Sequence, residues 1–261
     1  MSVILESRHL RKTFGAVTAA ADINVSVESD TVVGLIGSNG AGKTTFLNMV
    51  TGYLKPTSGS IHFDGRDITA LGPRQITRLG ICRSFQIPQL FDSLSVHDNL
   101  LVGVGIVASA GKGWRDAAST RGEPEEAVET MLEQFGLRSY RDMAAGTLPE
   151  GIRKLLDIAM AMVVRPKILL LDEPTSGVSA EEKFVLMDLV MDAVRAQKVT
   201  VLFVEHDMEV VTRYTHRVLA FSEGKIIADG EPEAALNDPE VRKYIIGETI
   251  HAKQRGGHAQ T

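Results

Sequence analysis

The 261-residue chain is 44% hydrophobic and 23% charged, so it can bury a substantial core and has the composition of an ordinary globular protein. A net charge of −5 argues against a broad basic face, and no nucleic-acid partner is expected. No apolar run approaches the ~18 residues that span a bilayer, and the single Cys82 cannot form an intrachain disulfide, which fits a reducing cytosol.

Met1 to Glu6 lacks the basic and apolar segments of a signal peptide, so none is expected. Any membrane role is expected to come through a partner. In chain order, Ile4-Leu5 and Ile23-Asn24-Val25-Ser26-Val27 alternate with period two, which predicts an antiparallel sheet with one wet face. Val32-Val33-Gly34-Leu35-Ile36 is an apolar run opening into glycine-rich sequence, and 44–50 reads as a helix. Strand, glycine loop and helix begin a parallel α/β unit. Ile61-His62-Phe63 runs into the hairpin turn Asp64-Gly65.

From 94 to 164 the pattern becomes helical, with helices expected over 96–104, 124–135 and 151–164; Pro124 suits a first helical turn. The stretch 108–122, with Gly111, Gly113 and Trp114, reads as a loop in which most disorder is expected. Two further apolar runs, Ile168-Leu169-Leu170-Leu171 and 199–204, predict buried parallel strands. Arg217-Val218-Leu219-Ala220-Phe221, a Glu223-Gly224 turn and 225–230 form a second hairpin pattern, and 251–261 is a polar tail expected to fray. These elements predict one α/β domain over 1–245. Its core and β subdomain would span 1–93 and 165–245, its helical subdomain 94–164, and 246–261 would form a tail.

Gly37-Ser38-Asn39-Gly40-Ala41-Gly42-Lys43-Thr44-Thr45 follows a strand and opens a helix, the context a phosphate-binding loop requires. Its glycines let consecutive N–H groups face phosphate oxygens, and the helix adds its positive end. Lys43 is expected to meet the β- and γ-phosphates of ATP, and the Thr44 hydroxyl to ligate Mg²⁺. A second motif agrees: the buried run Leu169-Leu170-Leu171 ends in Asp172 and Glu173. Asp172 is expected to hold Mg²⁺, and Glu173 to act as general base toward an attacking water.

With these motifs, nearly the whole chain, about 5–248, resembles the nucleotide-binding subunits of ABC transporters. The resemblance implies a P-loop NTPase (RecA-like) core with an antiparallel β subdomain and a helical subdomain. It also implies ATP and Mg²⁺ as ligands and hydrolysis coupled to transport. Phe14 matches the aromatic that stacks on adenine, with core packing as the plain alternative. Gln86, in Arg83-Ser84-Phe85-Gln86, matches the glutamine that touches Mg²⁺ and the lytic water. Ile87-Pro88-Gln89-Leu90-Phe91 would face a membrane subunit. His206, after the strand 199–204, matches the histidine that senses the γ-phosphate, and its place at a strand's C-terminal end suits ligand binding. Within the family, Thr51 to Gly59, Leu90-Phe91, Glu205-His206-Asp207-Met208 and Asn237-Asp238-Pro239-Glu240-Val241 are most similar to importers of branched-chain amino acids. ATPases serving urea, short amides or lipopolysaccharide export share several of these stretches. Soluble ABC proteins differ in carrying tandem cassettes or a long coiled coil.

Such subunits pair, each ATP meeting the partner's Leu-Ser-Gly-Gly-Gln signature. The matching stretch here is Leu148-Pro149-Glu150-Gly151-Ile152. Pro149 lacks the serine's hydroxyl and its own N–H, Glu150 brings negative charge, and Ile152 replaces the glutamine. The helix that follows still offers its N-terminal dipole. Ser179 stands where a D-loop aspartate is usual. The expected partners are a second, non-identical ATPase subunit, with a homodimer as the alternative, two transmembrane permeases and, indirectly, a solute-binding protein. The expected location is the inner face of the cell membrane.

Overall fold

The computed structural model describes residues 2–109 and 124–247. The tail 251–261 and most of the expected loop 108–122 lie outside these residues. Its strands are β1 (Val3–Phe14), β2 (Val17–Glu28), β3 (Val32–Gly37), β4 (Ser58–Phe63), β5 (Arg66–Asp67), β6 (Ile81–Ser84), β7 (Ile168–Asp172), β8 (Thr200–Val204), β9 (Arg217–Ser222) and β10 (Lys225–Gly230). Its helices are α1 (Lys43–Val50), α2 (Pro73–Leu79), α3 (Val96–Ser109), α4 (Pro124–Gln134), α5 (Glu150–Met162), α6 (Glu182–Gln197), α7 (Met208–Tyr214), α8 (Pro232–Asn237) and α9 (Pro239–Val241). The fold is α/β. The chain groups into two units, Met1–Gly72 with Leu202–Thr261, and Pro73–Val201.

In the first unit, β2, β1, β4 and β5 form an antiparallel sheet in that order. Leu5 pairs with Val27 and with Phe63, and the period-two pattern brings Leu5, Ile23, Val25, Val27, Ile61 and Phe63 to one buried face, which Leu10 joins. Leu10 keeps this face through a shift of pairing between Ser7 and Leu10, since strict alternation from Leu5 would turn it outward. The same unit carries β3 in parallel register with β9, Gly37 facing Phe221, and β9 turns through Glu223-Gly224 into antiparallel β10. All six residues of β3 are buried, as a continuous apolar run predicts for a strand covered on both faces. Under it α1 buries Phe46, Leu47, Met49 and Val50, and the Phe46 and Phe221 rings lie 5.8 Å apart.

The second unit pairs β6 with β7 in parallel, from Ile81 opposite Ile168 to Ser84 opposite Leu171. Periodicity does not predict β6, because only Ile81 and Cys82 are apolar before Arg83 and Ser84. Nor does it single out α6, whose buried face is Leu186, Met187, Val190, Met191, Ala193 and Val194. The three expected helices are present with shifted ends. The first runs on to Ser109, which makes Ala108 and Ser109 helical rather than loop, and the third spans Glu150–Met162. Leu155, Leu156, Ile158, Ala159 and Met162 bury one stripe of α5. Lys154 and Asp157 are buried with them, an unusual fate for charged side chains.

Candidate active site

Where β3 ends, the chain enters a loop whose path only glycine can follow. Gly37 has φ 152°, and a Cβ there would lie 2.4 Å from the Phe221 carbonyl oxygen. At Gly42, φ is 107° and a Cβ would lie 2.6 Å from the Ala19 carbonyl oxygen. The loop is therefore threaded between the end of β9 and the backbone of β2, a close approach that excludes side chains. Two hydrogen bonds fix it there: Gly224 N–H donates to Ala41 O at 2.9 Å, and Ala21 N–H donates to Gly224 O at 2.8 Å. The Lys43 ammonium is buried against the loop and donates to Gly37 O at 2.6 Å and Ser38 O at 3.0 Å. Asn39, Gly40 and Thr44 face solvent, while Ser38 and Thr45 are half-buried. Loop N–H groups, a cation and a helix N-terminus thus lie together in one short segment, a set that suits a phosphate chain.

The same unit holds Phe14 and His206. Phe14, at the end of β1, is 50% exposed with the Lys12 ammonium 5.1 Å from its ring centre, so it is not a core residue. His206 is exposed just beyond β8. Its backbone N–H donates to the buried Glu205 carboxylate at 3.0 Å. Asp207 next caps α7, accepting from Glu209 N–H at 3.0 Å and Val210 N–H at 3.4 Å. The capped helix fixes the backbone on which His206 is presented.

In the second unit, β7 ends at the buried Asp172, whose carboxylate accepts from the Arg83 guanidinium at 2.5 Å. Arg83 is itself buried and its guanidinium lies 4.9 Å from the Phe85 ring centre. Glu173 has φ +52°, a left-handed conformation that few side-chain-bearing residues adopt. Its carboxylate accepts from the Gln86 side-chain amide at 2.8 Å, and its carbonyl accepts from the Lys154 ammonium at 3.0 Å. Gln86 and Glu173, 87 positions apart in the chain, are thus in direct contact.

Three donors from the Gln86 segment close on Asp157 of α5. Ser84 donates its hydroxyl at 2.6 Å, Gln89 its N–H at 2.9 Å and Phe85 its N–H at 3.3 Å. Burial pushes the Asp157 carboxyl above its ordinary value, and the three hydrogen bonds and the Lys154 charge oppose that shift. Farther on, the fully buried Asn99 accepts from Phe91 N–H at 2.9 Å, and Arg153 reaches Asp92 at 2.9 Å.

The stretch 148–152, which the sequence likens to a signature, precedes and opens the same helix. Leu148 is buried, Pro149 and Glu150 are exposed, and Gly151 and Ile152 are half-buried. Pro149 takes the N-cap position of α5 with no side-chain cap, and its carbonyl accepts from Arg153 N–H at 3.0 Å. Ser179 exchanges hydrogen bonds with Glu182 at the start of α6, its hydroxyl donating at 2.8 Å and accepting the Glu182 N–H at 3.2 Å. Arg83, Lys154, Asp157 and Asn99 escape a motif-based reading. A usable signal exists for two of them, since Lys154 and Asp157 interrupt the apolar stripe of an otherwise amphipathic helix.

Residues 20–176 match the family described as ABC transporter. The chain is 38% identical over 251 residues to the high-affinity branched-chain amino acid transport ATP-binding protein BraF of Pseudomonas aeruginosa, covering 94% of this chain and 98% of that protein. It is 37% identical to the probable branched-chain amino acid transport ATP-binding protein LivG of Archaeoglobus fulgidus, covering 94% and 95%, and 35% identical to LivG of Escherichia coli K12, covering 94% and 98%. Among solved structures it is similar to the ADP conformation of an ATP-binding cassette of an ABC transporter, with TM-score 0.81 and 32% identity over 95% of this chain and all of that one. A nucleotide-free ATP-binding cassette gives TM-score 0.78 at 31% identity, covering 93% and 98%.

Proposed function

The chain belongs to the ABC transporter family of ATP-hydrolysing subunits, and from that premise we propose that it energises the import of branched-chain or related hydrophobic amino acids. Its likeness along the whole length to ATP-binding proteins of branched-chain amino acid transport supports the substrate class. The observation that carries the catalytic reading is the 2.8 Å bond from Gln86 to Glu173 at the end of a buried strand.

In this reading residues 37–45 bind the phosphate chain of ATP through loop N–H groups, and Lys43 neutralises the β- and γ-phosphates. The hydroxyl of Thr44, the carboxylate of Asp172 and the side-chain amide oxygen of Gln86 are donors of the kind Mg²⁺ takes. Magnesium, when bound, screens the phosphate charge. Glu173 accepts the proton of the attacking water, and Gln86 orients that water and the carboxylate. His206 answers to the γ-phosphate, and the exposed Phe14 ring offers a face for adenine. The exposed Ile87 and Phe91 suit docking to one of two permease subunits, themselves served by a solute-binding protein. Among the described residues no helix is long and apolar enough to cross a membrane. Permease docking would hold the chain at the inner membrane face.

The exposed Pro149 supports pairing with a non-identical ATPase subunit. This chain would lend a weak signature, with no hydroxyl at Pro149 and a negative charge at Glu150, while its own phosphate loop is complete. Replacing Glu173 by Gln is expected to lower ATP turnover by about 10²–10⁴-fold while ATP still binds and a nucleotide-bound dimer accumulates. Undiminished turnover would remove Glu173 from the base role. For the pairing, P149S with I152Q should raise ATPase rate and tighten nucleotide-driven dimerisation in the presence of the partner subunit; no gain in either sinks the weak-signature reading.

A further inference from the structure

Gln86 sits in a loop and Glu173 in a left-handed bend, and neither element holds the pair by itself. The groups that hold both come from one helix. Asp157 of α5 takes the Phe85 and Gln89 N–H groups on either side of Gln86, together with the Ser84 hydroxyl. Lys154, one turn earlier on α5, donates to the carbonyl of Glu173 itself. Arg153, beside it, reaches Asp92, farther along the segment that carries Gln86.

Two opposite charges buried on a helix are a poor way to stabilise a fold, because apolar residues of similar volume are often as good or better. Here Lys154 binds the backbone of Glu173 itself, and Asp157 binds the backbone on either side of Gln86. We infer that Lys154 and Asp157 are positioning residues that register Gln86 against Glu173, so that the helix opened by the altered signature sets the geometry of the hydrolytic pair. A shift of α5 is then delivered to both members at once. The inference rests on the reading of Gln86 and Glu173 given above.

Asp157→Asn tests it, because Asn keeps the size but offers an N–H₂ group where backbone donors converge. In the full-length chain assembled with its partner subunits at saturating Mg²⁺-ATP, Gln86→Ala and Asp157→Asn should each lower kcat about tenfold, with the KM for ATP held within about twofold. The double variant should be no slower than the slower single one, because both act through one contact. Multiplying losses, or a wild-type kcat in Asp157→Asn, would overturn the inference. A Gln86→Ala protein with wild-type kcat would instead overturn the underlying assignment of Gln86. Ser84→Ala, which removes one bond of three, serves if Asp157→Asn does not fold. It should lower kcat about threefold with the same non-additivity, and a wild-type kcat in it counts against the inference.

Discussion

The phosphate loop and the loop that carries Gln86 are held in opposite ways. Residues 37–42 are fixed chiefly by backbone, with glycines where a Cβ would lie 2.4 and 2.6 Å from neighbouring carbonyl oxygens and main-chain hydrogen bonds to neighbouring turns. To these the Lys43 ammonium adds its bonds to Gly37 O and Ser38 O. Residues 84–92 are fixed by side chains from elsewhere: Asp157, Arg153 and Asn99. The first arrangement is steric and tolerates no partial change. The second is electrostatic and hydrogen-bonded, so it can yield by degrees and can be moved by moving one helix.

The same difference decides what is legible in the sequence. Gly37, Gly40 and Gly42 announce their loop because the conformation demands glycine at fixed spacing, and Asp172 and Glu173 announce themselves by ending an apolar run. The strands of the first unit follow from alternation and from the Asp64-Gly65 and Glu223-Gly224 turns. By contrast, the grip of Asp157 on Gln89 links residues 68 positions apart, and no local pattern encodes it. β6 is hidden for a related reason, because a four-residue strand ending in Arg83 and Ser84 is too short and too polar for periodicity to register. Arg83 becomes meaningful only once parallel pairing puts Ser84 opposite Leu171 and sets Arg83 against Asp172. The α6 helix shows a third case, since Val185 and Leu189, apolar but outside its buried face, blur the stripe.

The largest effect expected of breaking this contrast comes from Gly42→Ala. A Cβ at Gly42 meets the Ala19 carbonyl oxygen at 2.6 Å on a backbone with φ 107°, and neither group has room to retreat. Strain of this kind costs about 1–3 kcal/mol, and the loop is expected to rebuild rather than bear it. Nucleotide-dependent thermal stabilisation should then disappear, whereas Asp157→Asn should retain it and lose turnover alone. If Gly42→Ala keeps a full ATP-induced rise in Tm, the steric account of the phosphate loop fails.

The smallest effect, and the most local, concerns Cys82 on β6, two residues before the Ser84 hydroxyl that Asp157 binds. Burial pushes its thiol up to about 12. At pH 8 only about 10⁻⁴ of such a thiol is ionised, and the thiolate is the reactive form. The native protein should therefore take up a thiol reagent very slowly and one equivalent promptly in denaturant. Asp157→Asn frees the root of the Gln86 segment, so labelling should speed up several-fold through local opening while Tm changes little. In Gly42→Ala the labelling rate should stay at the wild-type value, because that substitution strains a loop in the other unit. Equal acceleration by both substitutions would mean that the two loops open together as one unit, and the contrast between a steric and an electrostatic hold would not survive it.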